Sequence, residues 1–390
     1  MTTDFTRQDI EDADLEGDRP FSAGTARAAL SYSGFRRVFA GSVASNIGSW
    51  MQNVVLTAYA YSLTHSASFV AVMGFAQLGP LLFVSLIGGS LADRFDRRHL
   101  LMIASVQQAC FAMALAWVAR DPDPSRSLLV VVVFAIGMGQ AVAGPTFASV
   151  LPSLVEPRDL AGAVSLTSAN MNLSRMVGAL IGPFVYAHWG VSWVFFANAL
   201  TYLFIIGGVA TVRIPRAEPR RDDQGALGRI ISGFVIAQRD PVIRRVLLTL
   251  SIFSFFSLTF VVQMPTVAAR YGIDERSTAY GVLYGTFAFG AMVGSLSVGT
   301  FLAGRDLARL VRAGLLGFTV MLAAMALNTM PGPAYPNIFV LGFFYFMVVT
   351  CLSTVLQSRL DNNNRGRVMA IWIMAFGGTV PIGNLAAGPV

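Results

Sequence analysis

Apolar residues run along this chain in long unbroken stretches rather than alternating with polar ones. A helix needs about 20 apolar residues to cross a hydrocarbon core of ~30 Å. Stretches of that kind fall at 36–62, 69–92, 99–119, 127–151, 161–187, 191–212, 245–269, 278–302, 308–329, 337–358 and 367–389. None has the period-2 alternation of a barrel strand, so the expectation is eleven membrane helices. Composition points the same way. Charged residues are 13% of the 390, about half the roughly 25% of a soluble domain. So little charge cannot coat a soluble surface, which excludes a soluble enzyme and a disordered protein.

The charge that exists is ordered. The formal net charge is +7, and all 28 basic residues are Arg. They recur in every second connection: Arg36 and Arg37; Arg94, Arg97 and Arg98; eight between 212 and 245; Arg305 and Arg309; Arg359, Arg365 and Arg367. The connections at 64–68, 188–191 and 330–336 have no Arg. Those at 119–127 and 269–278 hold two each, balanced by acids. Basic loops stay on the cytoplasmic side. The expected location is therefore the inner (cytoplasmic) membrane of a bacterium, multi-pass, with the N-terminus in the cytoplasm. The basic balance reads as topology and lipid-headgroup contact, not nucleic-acid binding. Residues 1–33 open with Asp4, Asp9, Glu11, Asp12, Asp14, Glu16 and Asp18; this is no signal peptide, and a disordered cytosolic tail is expected. Cys110 and Cys351 lie inside apolar stretches and are expected to be buried thiols.

The chain also resembles itself. Phe35-Arg36-Arg37-Val38 matches Ile243-Arg244-Arg245-Val246, Leu91-Ala92-Asp93-Arg94 matches Leu302-Ala303-Gly304-Arg305, and Gly182-Pro183 matches Gly388-Pro389. The common order and spacing imply two halves: a bundle at 34–212, a cytosolic loop at 213–244, and a second bundle at 245–390. The first half has six stretches and the second five, so a twelfth helix is expected to be missing, through a shortened reading frame or a genuine eleven-span design. The fold class is an all-α polytopic membrane protein of two six-helix halves, with a central site at their interface.

Candidate chemistry is sparse. There is no phosphate-binding loop, metal-ligand spacing or catalytic triad, so neither enzyme activity nor a cofactor is expected. Arg175 is the only charge placed deep in a stretch, at a cost of ~2.5–3.5 kcal/mol on insertion scales, and should face the interior or a wet cavity. It shares a helix face with Ser165, Ser168, Asn172, Gly178 and Gly182. Asn53, Gln140 and Gln263 are further polar positions inside stretches. With Asn172 and Arg175 they form the candidate cargo contacts, alongside aromatic Phe255, Phe256 and Tyr284. No Asp or Glu lies deep in any stretch.

Two motifs add a resemblance. Gly89-Ser90-Leu91-Ala92-Asp93-Arg94-Phe95-Asp96-Arg97-Arg98 resembles the loop 2–3 signature of the major facilitator superfamily. Gly178-x-x-x-Gly182-Pro183 resembles the end of the helix 5 motif of that superfamily's exporters, where glycines allow close helix contact and the proline bends the helix. With the Arg365-Gly366-Arg367 start of the last stretch, the chain is most similar to the siderophore-exporter and macrolide-efflux branch. The resemblance implies export of a small molecule by alternating access, with cargo and lipid bilayer as the partners, a monomer as the working form and a proton gradient as driving force. It also implies a cytosolic latch of Gly89, Asp93, Arg94, Arg97 and Arg98 against Arg365 and Arg367. A metabolite importer of the same fold and a non-transporting sensor or scaffold are the alternatives.

Overall fold

A computed structural model of the protein describes residues 22, 24–212, 226–328, 330–360, 368–369 and 371–387; for 82–94, 226–227, 229–231, 258, 381 and 387 it describes the backbone alone. Among the described residues the principal helices overlap the apolar stretches, α11 only in its last part: α1 (Ser33–Thr64), α2 (Ala67–Arg94), α3 (Arg97–Val118), α4 (Arg126–Val150), α5 (Leu160–Trp189), α6 (Val191–Ala210), α7 (Pro241–Val262), α8 (Thr278–Gly299), α9 (Leu307–Leu327), α10 (Pro331–Ser358) and α11 (Thr379–Ala387). Among the described residues seven of these, α3, α4 and α6 to α10, are both long and apolar enough to cross a bilayer. Shorter apolar runs at Ala67–Leu81 and Ile371–Ala386 belong to α2 and α11. The other two, α1 and α5, are more polar along their length, with Ser42, Ser45, Gln52 and Asn170, Ser174 buried inside the protein.

The two halves are built alike. In the first, α2 packs on α4, α3 on α4, and α1 on α5; in the second, α8 packs on α10, α9 on α10, and α7 on α11. The contact between halves is reciprocal in the same sense: α5 lies on α8 and α2 on α11. Local signals repeat too. Asp96 caps α3 by accepting from Arg98 N (2.9 Å), and Asp306 caps α9 by accepting from Ala308 N (2.9 Å).

One contact has no counterpart among the described residues. In the first half α6 packs against both α1 and α3. Its seat includes Ser49, whose Oγ lies 3.2 Å from Tyr202 Oη, and Gln108, whose Oε1 accepts from Tyr202 Oη at 3.2 Å. The register that pairs Phe35 with Ile243 puts Ser49 on Ser257, and the register that pairs Asp96 with Asp306 puts Gln108 on Phe318. Ser257 and Phe318 line a groove of about 390 Å³ between α7 and α9, together with Ile252, Phe256, Leu315 and Leu322. This groove is the second-half equivalent of the α6 seat, the place a twelfth helix of the repeat would take.

Several expectations are corrected. Residues 24–32, expected to be disordered, are folded. Thr25 caps a short helix, Ala26–Ser31, whose Ala28 and Ala29 are buried. Asp159, in the turn before α5, accepts from Gly24 N and Tyr32 Oη, both at 2.8 Å. Residues 1–21 lie outside the described residues. The central loop 213–244 contains a helix, Ala226–Arg239, and α7 already begins at Pro241. The seventh stretch does not run as one helix to 269. It stops at Gln263 and restarts as the short helix Met264–Arg270, because Pro265 has no N–H to continue the α7 ladder. Cys351 is buried but Cys110 is exposed: α3 turns apolar residues such as Ile103 and Val106 outward, so an apolar stretch there faces lipid rather than protein.

Candidate functional site

The two halves touch along α5 and α8 and along α2 and α11. The loops at one end are poor in Arg; the opposite end carries the Arg-rich loops. Near the Arg-poor end, Pro183 of α5 presses on Gly281 of α8, where an added Cβ would sit 2.8 Å from Pro183 Cβ. Gln263 donates from Nε2 to Ala67 O at the start of α2 (3.0 Å), and its Oε1 accepts from Thr266 Oγ1 (3.0 Å). Arg276, between the short helix 264–270 and α8, reaches Ser62 O in the last turn of α1 (3.4 Å). Ser62 O is one of the terminal carbonyls a helix leaves unpaired, and a cation suits that end of the dipole. Apolar side chains of α5 are exposed toward both ends: Val164, Met171 and Leu173 toward the Arg-rich end, and Leu180, Ile181 and Phe184 toward the other.

Arg175 sits between these ends. Its guanidinium carbon lies 4.7 Å from the centroid of the Trp50 ring on α1 and 4.5 Å from that of Phe346 on α10. One ring comes from each half. Tyr284 of α8 and Tyr345 of α10 are near enough to interact with it electrostatically. No carboxylate pairs with Arg175 among the described residues, and its Nε is buried without a hydrogen-bond partner. Two cation–π contacts of ~0.5–2 kcal/mol each offset much of the ~2.5–3.5 kcal/mol insertion cost, but they satisfy none of the N–H donors.

Arg175 is held in place by glycines. The α5 face carrying Asn170, Ser174, Gly178 and Gly182 is buried. At Gly178 a Cβ would lie 2.6 Å from Trp50 Cβ and 2.9 Å from Ile47 O; at Gly182 it would lie 2.9 Å from Met51 O. Only hydrogen fits there, so α5 approaches the α1 backbone and Trp50 is brought beside Arg175. Asn170 Nδ2 donates to Ser42 Oγ (3.2 Å) and Ser174 Oγ donates to Asn170 Oδ1 (2.8 Å), which fix the same contact one and two turns away.

The other sequence candidates separate. Asn53 accepts from Gln77 Nε2, a short bond between α1 and α2. Asn172 is partly exposed one turn from Arg175 and donates to Ser168 O of its own helix (3.0 Å). Gln140 is exposed on α4, on the side away from the outward apolar residues Val131, Phe134 and Met138. Gln263 does not join them: both ends of its amide are engaged at the closed end. Arg97 donates to Ser149 O at the end of α4 (3.1 Å). Arg98 donates from Nε to Val209 O (3.3 Å) and from Nη2 to Ala210 O, closing the C-terminus of α6. The side chains of Gly89, Asp93 and Arg94, and residues Arg365 and Arg367, lie outside the described residues, so the expected latch pairing does too. Sequence reasoning missed Trp50, Phe346, Tyr345 and Arg276. Nothing in a local pattern distinguishes these aromatics from the many that pack in lipid or core.

The model of a family described as transmembrane secretion effectors, part of the major facilitator superfamily, matches residues 24–390. The chain belongs to that family. It is a membrane transporter of the superfamily and not an enzyme. Among curated proteins it is 24% identical over 354 residues to the enterobactin exporter EntS of Escherichia coli O1:K1 / APEC, covering 87% of this chain and 80% of that protein. It is 25% identical over 162 residues to the staphyloferrin A transporter of Staphylococcus aureus, a match spanning only 41% of each. Among solved structures it superposes on the nucleoside transporter NupG (D323A mutant) with TM-score 0.73 at 11% identity, covering 92% of this chain and 91% of that one. The xylose transporter XylE from E. coli, in an inward open conformation, gives 0.63 at 17% identity, covering 91% and 89%. At such identities these structures share the fold.

Proposed function

We propose that the protein exports a small molecule from the cytoplasm by alternating access, with the Arg-rich end and the N-terminus on the cytoplasmic side of the bacterial inner membrane. On that orientation the contacts of Pro183, Gln263 and Arg276 close the side away from the cytoplasm. The observation that carries the reading is Arg175: a cation without a carboxylate partner among the described residues, set between one ring from each half. Rocking the halves would expose it to each side in turn. Asn172, one turn along α5, supplies a neutral polar group nearby.

A siderophore or a similarly bulky compound is the proposed cargo, in line with the names of the two curated relatives and the glycine–proline ending of α5. The driving force is proposed to be the proton gradient, since one inward proton supplies ~2.3 kcal/mol per 100 mV. The loop 2–3 residues Gly89, Asp93, Arg94, Arg97 and Arg98 would engage Arg365 and Arg367 when the cytoplasmic mouth closes. The transporter would act as a monomer without a cofactor.

Inside-out vesicles bearing the protein test this directly. Enterobactin should accumulate inside them when a pH gradient is imposed, and Arg175→Met should abolish accumulation while leaving the protein folded. Accumulation only in right-side-out vesicles would identify an importer. The absence of flux with any compound would favour the sensor reading.

A further inference from the structure

Resting on the transporter reading, we infer that Arg175, with Trp50 and Phe346 beside it, binds an organic anion whose charge is attached to a flat ring.

The charge argument comes first. A buried or half-buried cation in a low-dielectric site needs a counter-charge. The described residues offer Arg175 none: it has no ion pair, and its Nε is buried with no acceptor. Guanidinium N–H groups match carboxylate oxygens two at a time. The ring contacts at 4.7 and 4.5 Å engage the charge but leave those donors to a ligand. Tyr284 and Tyr345, the electrostatic neighbours of Arg175, carry no counter-charge either. A cationic cargo finds no counter-charge there and meets the repulsion of Arg175.

The ring argument is independent. Tyr345 stands in a run of aromatic contacts: Phe253 at 5.3 Å, Phe346 at 4.9 Å and Phe287 at 6.2 Å between centroids. Tyr284 continues it at 6.5 Å from Phe287. Apart from Phe346, those rings are packed into the core of the second half; the ring surfaces beside Arg175 are those of Trp50 on α1 and Phe346 on α10, both partly exposed and one from each half. Flat groups stack on such surfaces, and an aliphatic anion gains little from them.

The test is equilibrium binding to the full-length protein in nanodiscs. The probes are 1-naphthoate, its uncharged analogue 1-naphthalenemethanol, the aliphatic anion octanoate, and chloride. Saturable binding of 1-naphthoate is expected, weakened at least about tenfold in Arg175→Gln and partly retained in Arg175→Lys. 1-Naphthalenemethanol should bind weakly and alike to all three proteins. Equal binding of 1-naphthoate by Arg175→Gln would overturn the inference, as would 1-naphthalenemethanol binding the unaltered protein as tightly as 1-naphthoate. Octanoate or chloride competing as well as 1-naphthoate would reduce the site to a general anion site and overturn the ring component. Should the Arg175 variants fail to fold, the comparison of probes on the unaltered protein, with Phe346→Leu as second variant, decides alone. Binding of 1-naphthoate without cargo flux in vesicles would sink the transport reading and keep this one; flux without Arg175-dependent binding does the reverse.

Discussion

The closed end of the transporter rests on two side-chain bonds between halves, and removing them should shift the balance between conformations by a calculable amount. Gln263 Nε2 donates to Ala67 O at 3.0 Å. Ala67 lies at the first position of α2, so its carbonyl can also accept the ordinary helical bond from four residues on. Removing the Gln263 amide therefore leaves no orphaned acceptor, and the loss is that of one neutral hydrogen bond, about 1 kcal/mol. Arg276 reaches Ser62 O at the longer distance of 3.4 Å. It is an exposed cation at a helix C-terminus, worth roughly 0.3–1 kcal/mol. Each bond exists only while the halves touch at this end, so each stabilises this state alone. They join different residue pairs, so the effects should add approximately. The double variant Gln263→Ala/Arg276→Ala should then lose about 1.3–2 kcal/mol of bias, a shift of roughly 10–30-fold toward the state open at this end. Spin labels at Ser66 and Thr278, with Cys110 and Cys351 replaced by Ser, would report the separation of the halves by double electron–electron resonance. A new population at longer distance is expected in the double variant. An unchanged distance distribution would refute the idea that these bonds hold the end shut.

Three further outcomes follow from local geometry. Gly178→Leu should fail to pack, because even a Cβ meets Trp50 Cβ at 2.6 Å and backbone at 2.9 Å; Gly178→Ala should lower the melting temperature by an amount equivalent to ~1–3 kcal/mol, read by thermal unfolding in detergent. Asp159→Ala removes a buried carboxylate that accepts from Gly24 N and Tyr32 Oη, so residues 24–32 should become cleavable by limited proteolysis while Asp159→Glu is intermediate. At Asp96, slight burial works to raise the carboxyl's affinity for protons, but the backbone N–H groups of Arg98 and His99 and the His99 ring outweigh it, holding the group below its ordinary value. A depressed carboxyl contributes stability above its unfolded-state value near ~3.9 and loses it as pH falls through the folded value. Asp96→Ala should therefore cost about 1 kcal/mol of cap stability at pH 7 and less as the pH drops below about 4, measured by parallel melts.

Much of the fold was legible in the residue order because a bilayer constrains it so strongly. Apolar stretches must become helices when lipid offers the backbone no partners, so the all-helical fold and the alternation of Arg-rich loops follow from spacing alone. Gly178, Gly182 and Pro183 could be singled out for the same reason: hydrogen-sized residues at four-residue spacing have few uses in lipid besides close helix contact. Arg175 stood out because a charge at that depth is costly.

What surrounds Arg175 was not legible. Trp50 and Phe346 lie nearly 300 positions apart, in stretches where an aromatic residue is equally at home against lipid, and only the contact of the two halves makes them neighbours. The same contact moved Gln263 from the candidate cargo site to the closed end, since an amide in an apolar stretch looks alike whether it faces a cavity or the start of another helix. Asp159 gave no signal either, because its partners Gly24 and Tyr32 belong to a segment whose acidic neighbours read as disorder. Sequence determined which segments cross the membrane and which loops share a side, because solvation energy acts on each segment separately. The tertiary structure decided which polar groups meet and which end is shut, because those depend on contacts between segments that no local pattern encodes.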